Sequence, residues 1–329
     1  MSNKTDRPAL NKYRAAIIGC GGIGFRYDQG RQVAGALTHF TAFEQSDDFE
    51  LVAICDTDAG TREQIADQHG KRVYGDYREM LAQEKSLDVV VVATPDETHE
   101  PILQVLAQYR PRLVFAEKPL ALSPEAVTRL VEQYRQQGIG LVVNFYRRYT
   151  KELQELKILL DSGELGEVQA ITVYYSRGFF HNCCHFIDLL CWYFGRPVEV
   201  FGLGMKPGLT DNDPTRNLLF CYPGGLEMRL VGLPTSQLLT YEVDILASQG
   251  RARILHQGKI EIYKVAPNRT WPEFLQYELI QEKPIDFSGA LPAAVKNIKA
   301  WLDSQQALLS PGENSSLVFE IAGMIKEIH

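Results

Sequence analysis

One hexapeptide restricts the fold of this 329-residue chain more than any other feature: Gly19-Cys20-Gly21-Gly22-Ile23-Gly24, set directly after the apolar run 14–18. Read as strand, glycine turn and then a helical segment, it is the opening of a β-α-β unit. Gly19 allows the tight turn, Gly21 lets the backbone approach a pyrophosphate, and Gly24 lets helix and strand pack closely. Gly22 and Ile23 complete the cradle. The helix N-terminus then offers free N–H groups and its dipole to phosphates. A merely tight strand–helix turn is the plainer account of the same residues.

The chain beyond it favours the first account. Apolar runs at 51–55, 87–93, 113–116 and 141–143 read as buried strands, and helical patterns at 98–109 and 123–137 lie between them. The second helix has Ser123 as N-cap, Pro124 at its first position and Gly138 just past its end. Strands alternating with helices predict an α/β domain over 13–148, a doubly wound parallel Rossmann sheet. After Tyr149 the texture changes. A helix at 150–161 precedes strand-like runs at 168–175, 199–203, 217–222, 227–233, 238–247 and 260–265, punctuated by Pro223-Gly224-Gly225 and Ser248-Gln249-Gly250. Residues 149–329 therefore read as an α+β domain with a large mixed, mostly antiparallel sheet, closed by helices at 289–309 and 316–327. Residues 1–12 are polar and mixed in charge, and read as a flexible leader.

A net charge of −7 argues against a nucleic-acid partner, which calls for a basic face. No apolar stretch approaches the ~18 residues that span a bilayer, and the leader lacks a signal peptide's apolar core. Six cysteines, none in a Cys-x-x-Cys pair, fit reduced thiols and a cytoplasmic home. Cys20 and Cys55 read as small buried hydrophobes.

Asp56 closes the second strand, where a carboxylate accepts hydrogen bonds from an adenosine ribose. It lies further from Gly19 than usual, and the extra length reads as an inserted loop over 25–35. A carboxylate there repels a 2′-phosphate, and Thr57 and Asp58 supply no arginine, which favours NAD over NADP; a plain turn role is the alternative. The run 113–119 then delivers Lys118 to the carboxyl end of a strand, where ligands bind in an open α/β sheet.

With Gly19–Gly24, Asp56, Ala93-Thr94-Pro95, Glu117-Lys118-Pro119 and His185-Phe186-Ile187-Asp188 in this order, the chain resembles the glucose–fructose oxidoreductase/inositol dehydrogenase (Gfo/Idh/MocA) family over nearly its whole length. Residues 247–254 are similar to that family's later glycine-containing strand turn. The resemblance implies a Rossmann domain, a second domain on a large mixed sheet, and a bound NAD(P). It implies that Lys118 lies beside the nicotinamide and the reacting carbon, with Glu117 adjoining and the Lys118-Pro119 bond cis. Thr94, Pro95 and His99 are then expected on the nicotinamide side, against ordinary loop and helix-start chemistry.

The segment 178–188 carries the expected acid–base chemistry. If it is helical from 181, His181, His185 and Asp188 share one face. His185 is the expected acid/base, Asp188 the carboxylate that orients it, and Lys118 the charge that polarises the substrate oxygen. His181 stands where the family has an aspartate, and Cys183 where it has a glycine; His181 is read as a substrate or relay contact, and Asn182 as a substrate contact. Two histidines capping and packing a helix is the plainer account. These are also metal-ligand types, but no second cluster completes a site, so no metal is expected. Tyr146 and Arg147 are expected to reach a polyhydroxylated or anionic substrate, or to serve a hinge. Asp213 could touch substrate or a neighbouring subunit, and Trp192 reads as core.

These residues imply hydride transfer between NAD and a secondary alcohol of a sugar, polyol or sugar derivative. An NAD-dependent glycosidase and a non-catalytic NAD-binding sensor are the alternatives. The expected partners are a small carbohydrate-like substrate and a second copy of the chain, as a homodimer or homotetramer; neither nucleic acid nor membrane is expected.

Overall fold

The computed structural model describes residues 12–31, 34–208, 210, 212–234, 239–256 and 258–328; nearly all of the expected leader lies outside them. The chain divides into two compact units. One holds the residues up to Tyr146 together with Ser288–Ser315, and the other holds Arg147–Phe287 together with Ser316–His329.

In the first unit the strands β1 (Tyr13–Ile18), β2 (Phe49–Cys55), β3 (Arg72–Tyr74), β4 (Val89–Val92), β5 (Leu113–Ala116) and β6 (Gly140–Val143) form a wholly parallel sheet in the order β3-β2-β1-β4-β5-β6. The helices are α1 (His39–Glu44), α2 (Ala59–His69), α3 (Tyr77–Gln83), α4 (His99–Tyr109) and α5 (Pro124–Gln137). All four valines of β4 are fully buried, which is why that strand reads as an unbroken apolar run. Each such side chain contributes about 1.5–3 kcal/mol. Ser123 caps α5 through Ala126 N at 3.2 Å, and Gly138 ends it in the left-handed conformation. The short β3 escapes the periodicity of the sequence.

The second unit opens with α6 (Lys151–Asp161), β7 (Val168–Ser176), a π-helical turn over Phe179–Cys183 and α7 (Cys184–Phe194). Then come β8 (Glu199–Lys206), β9 (Thr215–Cys221), β10 (Glu227–Leu233), β11 (Tyr241–Ala247), β12 (Gly250–Leu255), β13 (Lys259–Pro267) and β14 (Leu275–Pro284). The strand expected from 238 thus begins at Tyr241, and residue 238 lies outside the described ones. One face of the sheet buries Ile171, Val173, Val243, Ile245, Ala252 and Ile254 against Ile187, Leu190 and other α7 residues.

The chain's last stretch differs from the sequence expectation. The helix α8 (Ala290–Ser304) belongs to the first unit, not the second. It buries Ala290, Leu291, Ala294, Val295, Ile298 and Leu302 and packs against α1, and Val143 N then bonds Ser310 O at 3.0 Å beside β6. The expected final helix ends early: α9 (Asn314–Met324) gives way to β15 (Ile325–Glu327). With it the second sheet has the order β14-β13-β12-β11-β7-β10-β9-β8-β15, antiparallel except at the β7/β10 and β8/β15 pairs. No helix among the described residues is long and apolar enough to cross a membrane.

Candidate active site

The order of the parallel sheet reverses between β1 and β4, and such a reversal opens a crevice at the carboxyl ends of the strands. The glycine turn sits there, but no continuous helix follows it. Phe25 N bonds Gly21 O and Tyr27 N bonds Gly22 O, each at 3.0 Å, and the chain then departs. It returns at α1, where His39 N and Phe40 N bond Ile23 O and Gly24 O at 3.0 Å. The chain between Gly24 and α1 is thus an insertion, slightly longer than the loop expected over 25–35. Asp28 closes the insertion by accepting from Leu37 N at 3.0 Å, Thr38 N at 2.9 Å and Thr38 Oγ1 at 2.7 Å.

A dinucleotide fits this turn by its shape. Gly19 has φ +94°, and a Cβ there would meet Ala93 O at 2.5 Å and Thr94 Cγ2 at 2.8 Å. A Cβ on Gly24 would strike Gly19 O, and one on Gly22 would meet the Tyr27 ring. At Gly21 a Cβ would meet nothing within 4 Å, so the backbone is open on the side a phosphate needs. Asp56 is tied to the same turn: one carboxylate oxygen accepts from Cys20 N at 2.6 Å and the other from Asp58 N at 2.8 Å. Two arginines lie near this strand end. Arg62 donates to Asp56 O at 2.8 Å and Thr57 O at 2.9 Å, and Arg26, brought in by the insertion, donates to Thr61 Oγ1 at 3.1 Å. The spacing of Arg62 from the α2 cap residue Asp58 could have revealed the first; nothing local reveals the second. Burial, then the carboxylates of Asp76 and Asp56, push the Cys55 thiol up to about 12, so it is an inert hydrophobe here.

At the carboxyl end of β5 the Lys118-Pro119 bond is cis, as the resemblance implied. Glu117 anchors this turn. Its Oε1 accepts from His39 Nε2 at 2.9 Å and from Asn144 Nδ2 at 2.6 Å, joining α1 and the end of β6. Burial pushes the Glu117 carboxyl up, but the hydrogen bond and charge of His39, the Asn144 amide and the Lys118 charge together hold it below its ordinary value. His99, expected on the nicotinamide side, is the first residue of α4. It is fully buried, with Nδ1 2.7 Å from Pro119 O and Nε2 2.8 Å from Thr94 O, so its ring ties the lysine turn to the loop after β4. That makes it a positioning residue. Thr94 remains beside Gly19, and its hydroxyl accepts from Thr98 Oγ1 at 2.7 Å.

In the second unit the 178–188 segment is not one α-helix. Cys183 N reaches back to Gly178 O at 3.2 Å, and the π-turn offsets His181 from the face of α7. His181 is exposed, whereas His185 is 9% and Asp188 0% exposed; the expected shared face is reduced to His185 and Asp188. The Asp188 carboxylate, expected to orient His185, has a charged partner of its own. It is bound by Arg148, whose Nε lies 2.8 and 3.0 Å from its two oxygens. Burial raises the Asp188 carboxyl, opposed by the charge and hydrogen bond of Arg148 and the charge of Arg147. Arg147 is itself 5% exposed, its guanidinium 5.3 Å from the Phe186 ring centre and 5.6 Å from that of Tyr241. Tyr146 is half-buried in the same 3-10 turn. Asn182 spends its amide on Ser176 O at 2.8 Å. Asp213 is a residue whose role the sequence left open: it accepts from Phe180 N at 2.8 Å and His181 N at 2.9 Å, pinning the π-turn. Trp192 packs on the core, as expected.

Comparison with known proteins agrees with this geometry. Residues 13–145 match the model of an oxidoreductase family with an NAD-binding Rossmann fold. The chain is 28% identical over 309 residues to an inositol 2-dehydrogenase of Saccharopolyspora erythraea, covering 87% of this chain and 83% of that protein. It is 32% identical over 157 residues to the inositol 2-dehydrogenase of Salmonella typhimurium, covering 47% of this chain and 43% of that protein, so this match spans less than half of the relative. Among solved structures, an oxidoreductase from Agrobacterium radiobacter in complex with NAD+, L-tartaric acid and magnesium superposes with a TM-score of 0.74 at 18% identity, over 95% of each chain. At that identity the likeness is one of fold.

Proposed function

We propose that the chain, similar over residues 13–145 to an oxidoreductase family with an NAD-binding Rossmann fold, is a Gfo/Idh/MocA oxidoreductase that transfers a hydride between NAD and a secondary alcohol or ketone of a polyol or sugar. The observation that carries this reading is the backbone opening at Gly21, tied by Cys20 N to Asp56, on a sheet that also presents Lys118 at the carboxyl end of β5. When bound, the nicotinamide accepts or donates the hydride. Gly19–Gly24 hold the pyrophosphate, and the Asp56 carboxylate, with lone pairs left beyond its two backbone bonds, takes the ribose hydroxyls and disfavours a 2′-phosphate. Thr94 and Pro95 adjoin the nicotinamide.

Lys118 supplies positive charge to the reacting oxygen, its turn held by Glu117 and His99. His185 takes or returns the hydroxyl proton. His181, exposed at the π-turn, contacts substrate. Relatives named inositol 2-dehydrogenase support the polyol class. This reading includes a cytoplasmic home with reduced thiols and assembly as a homodimer or homotetramer.

The test is NADH absorbance at stoichiometric enzyme and NAD against pools of polyols, sugars, sugar acids and nucleotide sugars, repeated with NADP. A rise with one pool and NAD supports the reading. Silence in every pool, with NAD binding verified by calorimetry, overturns it in favour of a sensor.

A further inference from the structure

We propose that Arg177 recognises an oxyanion carried by the substrate, so that the polyol or sugar handled here bears a carboxylate or a phosphate. This rests on the dehydrogenase reading and narrows it. Arg177 is the residue by which β7, in the interior of the second sheet, leaves for the π-turn that leads into His185. Its neighbours are fixed on both sides. Ser176 O accepts from Asn182 Nδ2 at 2.8 Å, Ser176 Oγ accepts from Thr240 N at 3.0 Å, and Gly178 N donates to Thr215 Oγ1 at 3.1 Å.

Two independent features set this arginine apart. Its Nε is enclosed and has no hydrogen-bond acceptor, and among the described residues the side chain makes no ion pair. The second unit's other half-buried arginines are matched: Arg216 to Glu327, Arg251 to Asp244 and Arg253 to Glu261. An enclosed guanidinium donor without an acceptor is costly, and the cost falls away when an oxyanion arrives. The second feature is the backbone. Arg177 holds φ +70°, a conformation open to glycine but strained for a long side chain. The adjoining Gly178, at φ +92°, is forced by the Asp213 carboxylate, which leaves no room for a Cβ. No such crowding explains an arginine at 177, where glycine would satisfy the chain path. A planar fork of donors suits carboxylate and phosphate oxygens alike, and suits a neutral polyol poorly.

The test compares anionic and neutral congeners on the NAD-loaded enzyme, by titration calorimetry and by NADH absorbance: glucuronate, gluconate and glucose 6-phosphate against glucose, sorbitol and myo-inositol. The expected result is that an anionic member binds more tightly than its neutral counterpart, carboxylate and phosphate arms identifying the oxyanion. Arg177→Met should lower that preference roughly tenfold to a hundredfold, the loss of a charged hydrogen bond, and Arg177→Lys should recover part of it. Arg177→Gly should lose the preference while raising Tm, since it releases the backbone strain. Tighter anion binding without NADH formation supports the proposal and removes the dehydrogenase reading. Equal binding of anionic and neutral congeners, or an anion preference unchanged in Arg177→Met and Arg177→Gly, overturns it; NADH from a neutral polyol in that case leaves the dehydrogenase reading intact.

Discussion

Arg148 holds Asp188 through both carboxylate oxygens, its Nε 2.8 and 3.0 Å away, with the two side chains 10% and 1% exposed. The pair joins the 3-10 turn after β6 to the helix that carries His185. A buried pair of this kind adds little over an apolar match, but breaking it strands a charge. Asp188→Ala and Arg148→Met are each expected to cost about 3–5 kcal/mol of stability, and the double variant Arg148→Met/Asp188→Leu much less than their sum. Urea unfolding of the three variants measures this. If Asp188→Ala instead left stability intact and abolished turnover alone, Asp188 would be the orienting carboxylate after all.

Lys118→Ala is expected to leave NAD affinity nearly unchanged and to lower turnover roughly 10²–10⁴-fold, because the lysine acts on the reacting oxygen and the pyrophosphate is held by backbone N–H groups. Calorimetry and NADH absorbance on the same preparation separate the two. Loss of NAD binding would move the lysine out of the reacting centre.

The glycine turn offers a contrast within four residues. A Cβ at Gly21 meets nothing within 4 Å, whereas one at Gly24 strikes Gly19 O. Gly21→Ala should therefore fold with unchanged Tm and bind NAD weakly, while Gly24→Ala should lose about 1–3 kcal/mol of stability through overpacking. An unaffected NAD affinity in Gly21→Ala would mean that the phosphates do not pass there.

Where residues are buried on both faces, the sequence states the structure openly. The valines of β4 and the run Leu113–Ala116 are instances, and the glycine turn follows from a short local pattern, whereas the cis Lys118-Pro119 bond is implied only by the family resemblance. Elements whose partners are distant are not written locally. Strand β14 carries polar and apolar residues on a largely exposed ribbon, and β15 continues the apolar spacing of the helix before it. The return of Ser288–Ser315 to the first unit is a matter of which apolar face α8 finds, which composition does not encode. The site shows the same division. His185 and Lys118 stand out as residue types, but the residues that hold the site, Arg148 for Asp188, Asp213 for the π-turn and His39 for Glu117, are specified only by packing.

The outer ribbon of the second sheet carries a further expectation. Leu275, Leu279 and Ile280 are 70%, 47% and 51% exposed on β14, and Ile280 is the extra residue of a bulge, since Ile262 pairs with Gln281 and Tyr263 with Leu279. Apolar side chains gathered on an exposed strand suit burial against a second copy. Light scattering at micromolar concentration should give a dimer or tetramer, and Leu275→Glu/Leu279→Glu should shift it toward monomer. A monomeric wild type would remove the expectation.

Glu117 ties stability to pH with a defined sign. Its carboxyl lies below the ordinary value of 4.5 in the folded chain, because the hydrogen bonds from His39 and Asn144 and the charge of Lys118 outweigh the effect of burial. An acid whose folded value is depressed stabilises the fold above its unfolded value, and that contribution is lost as pH falls through the folded value. Glu117→Gln has no proton to take up there. The stability advantage of wild type over Glu117→Gln should thus be steady from about pH 8 to pH 5 and shrink between about pH 5 and pH 3. Urea midpoints at matched ionic strength report it. A gap that stays constant or widens on acidification would mean that the carboxyl is protonated in the native chain, and that His39 is held by something other than its charge.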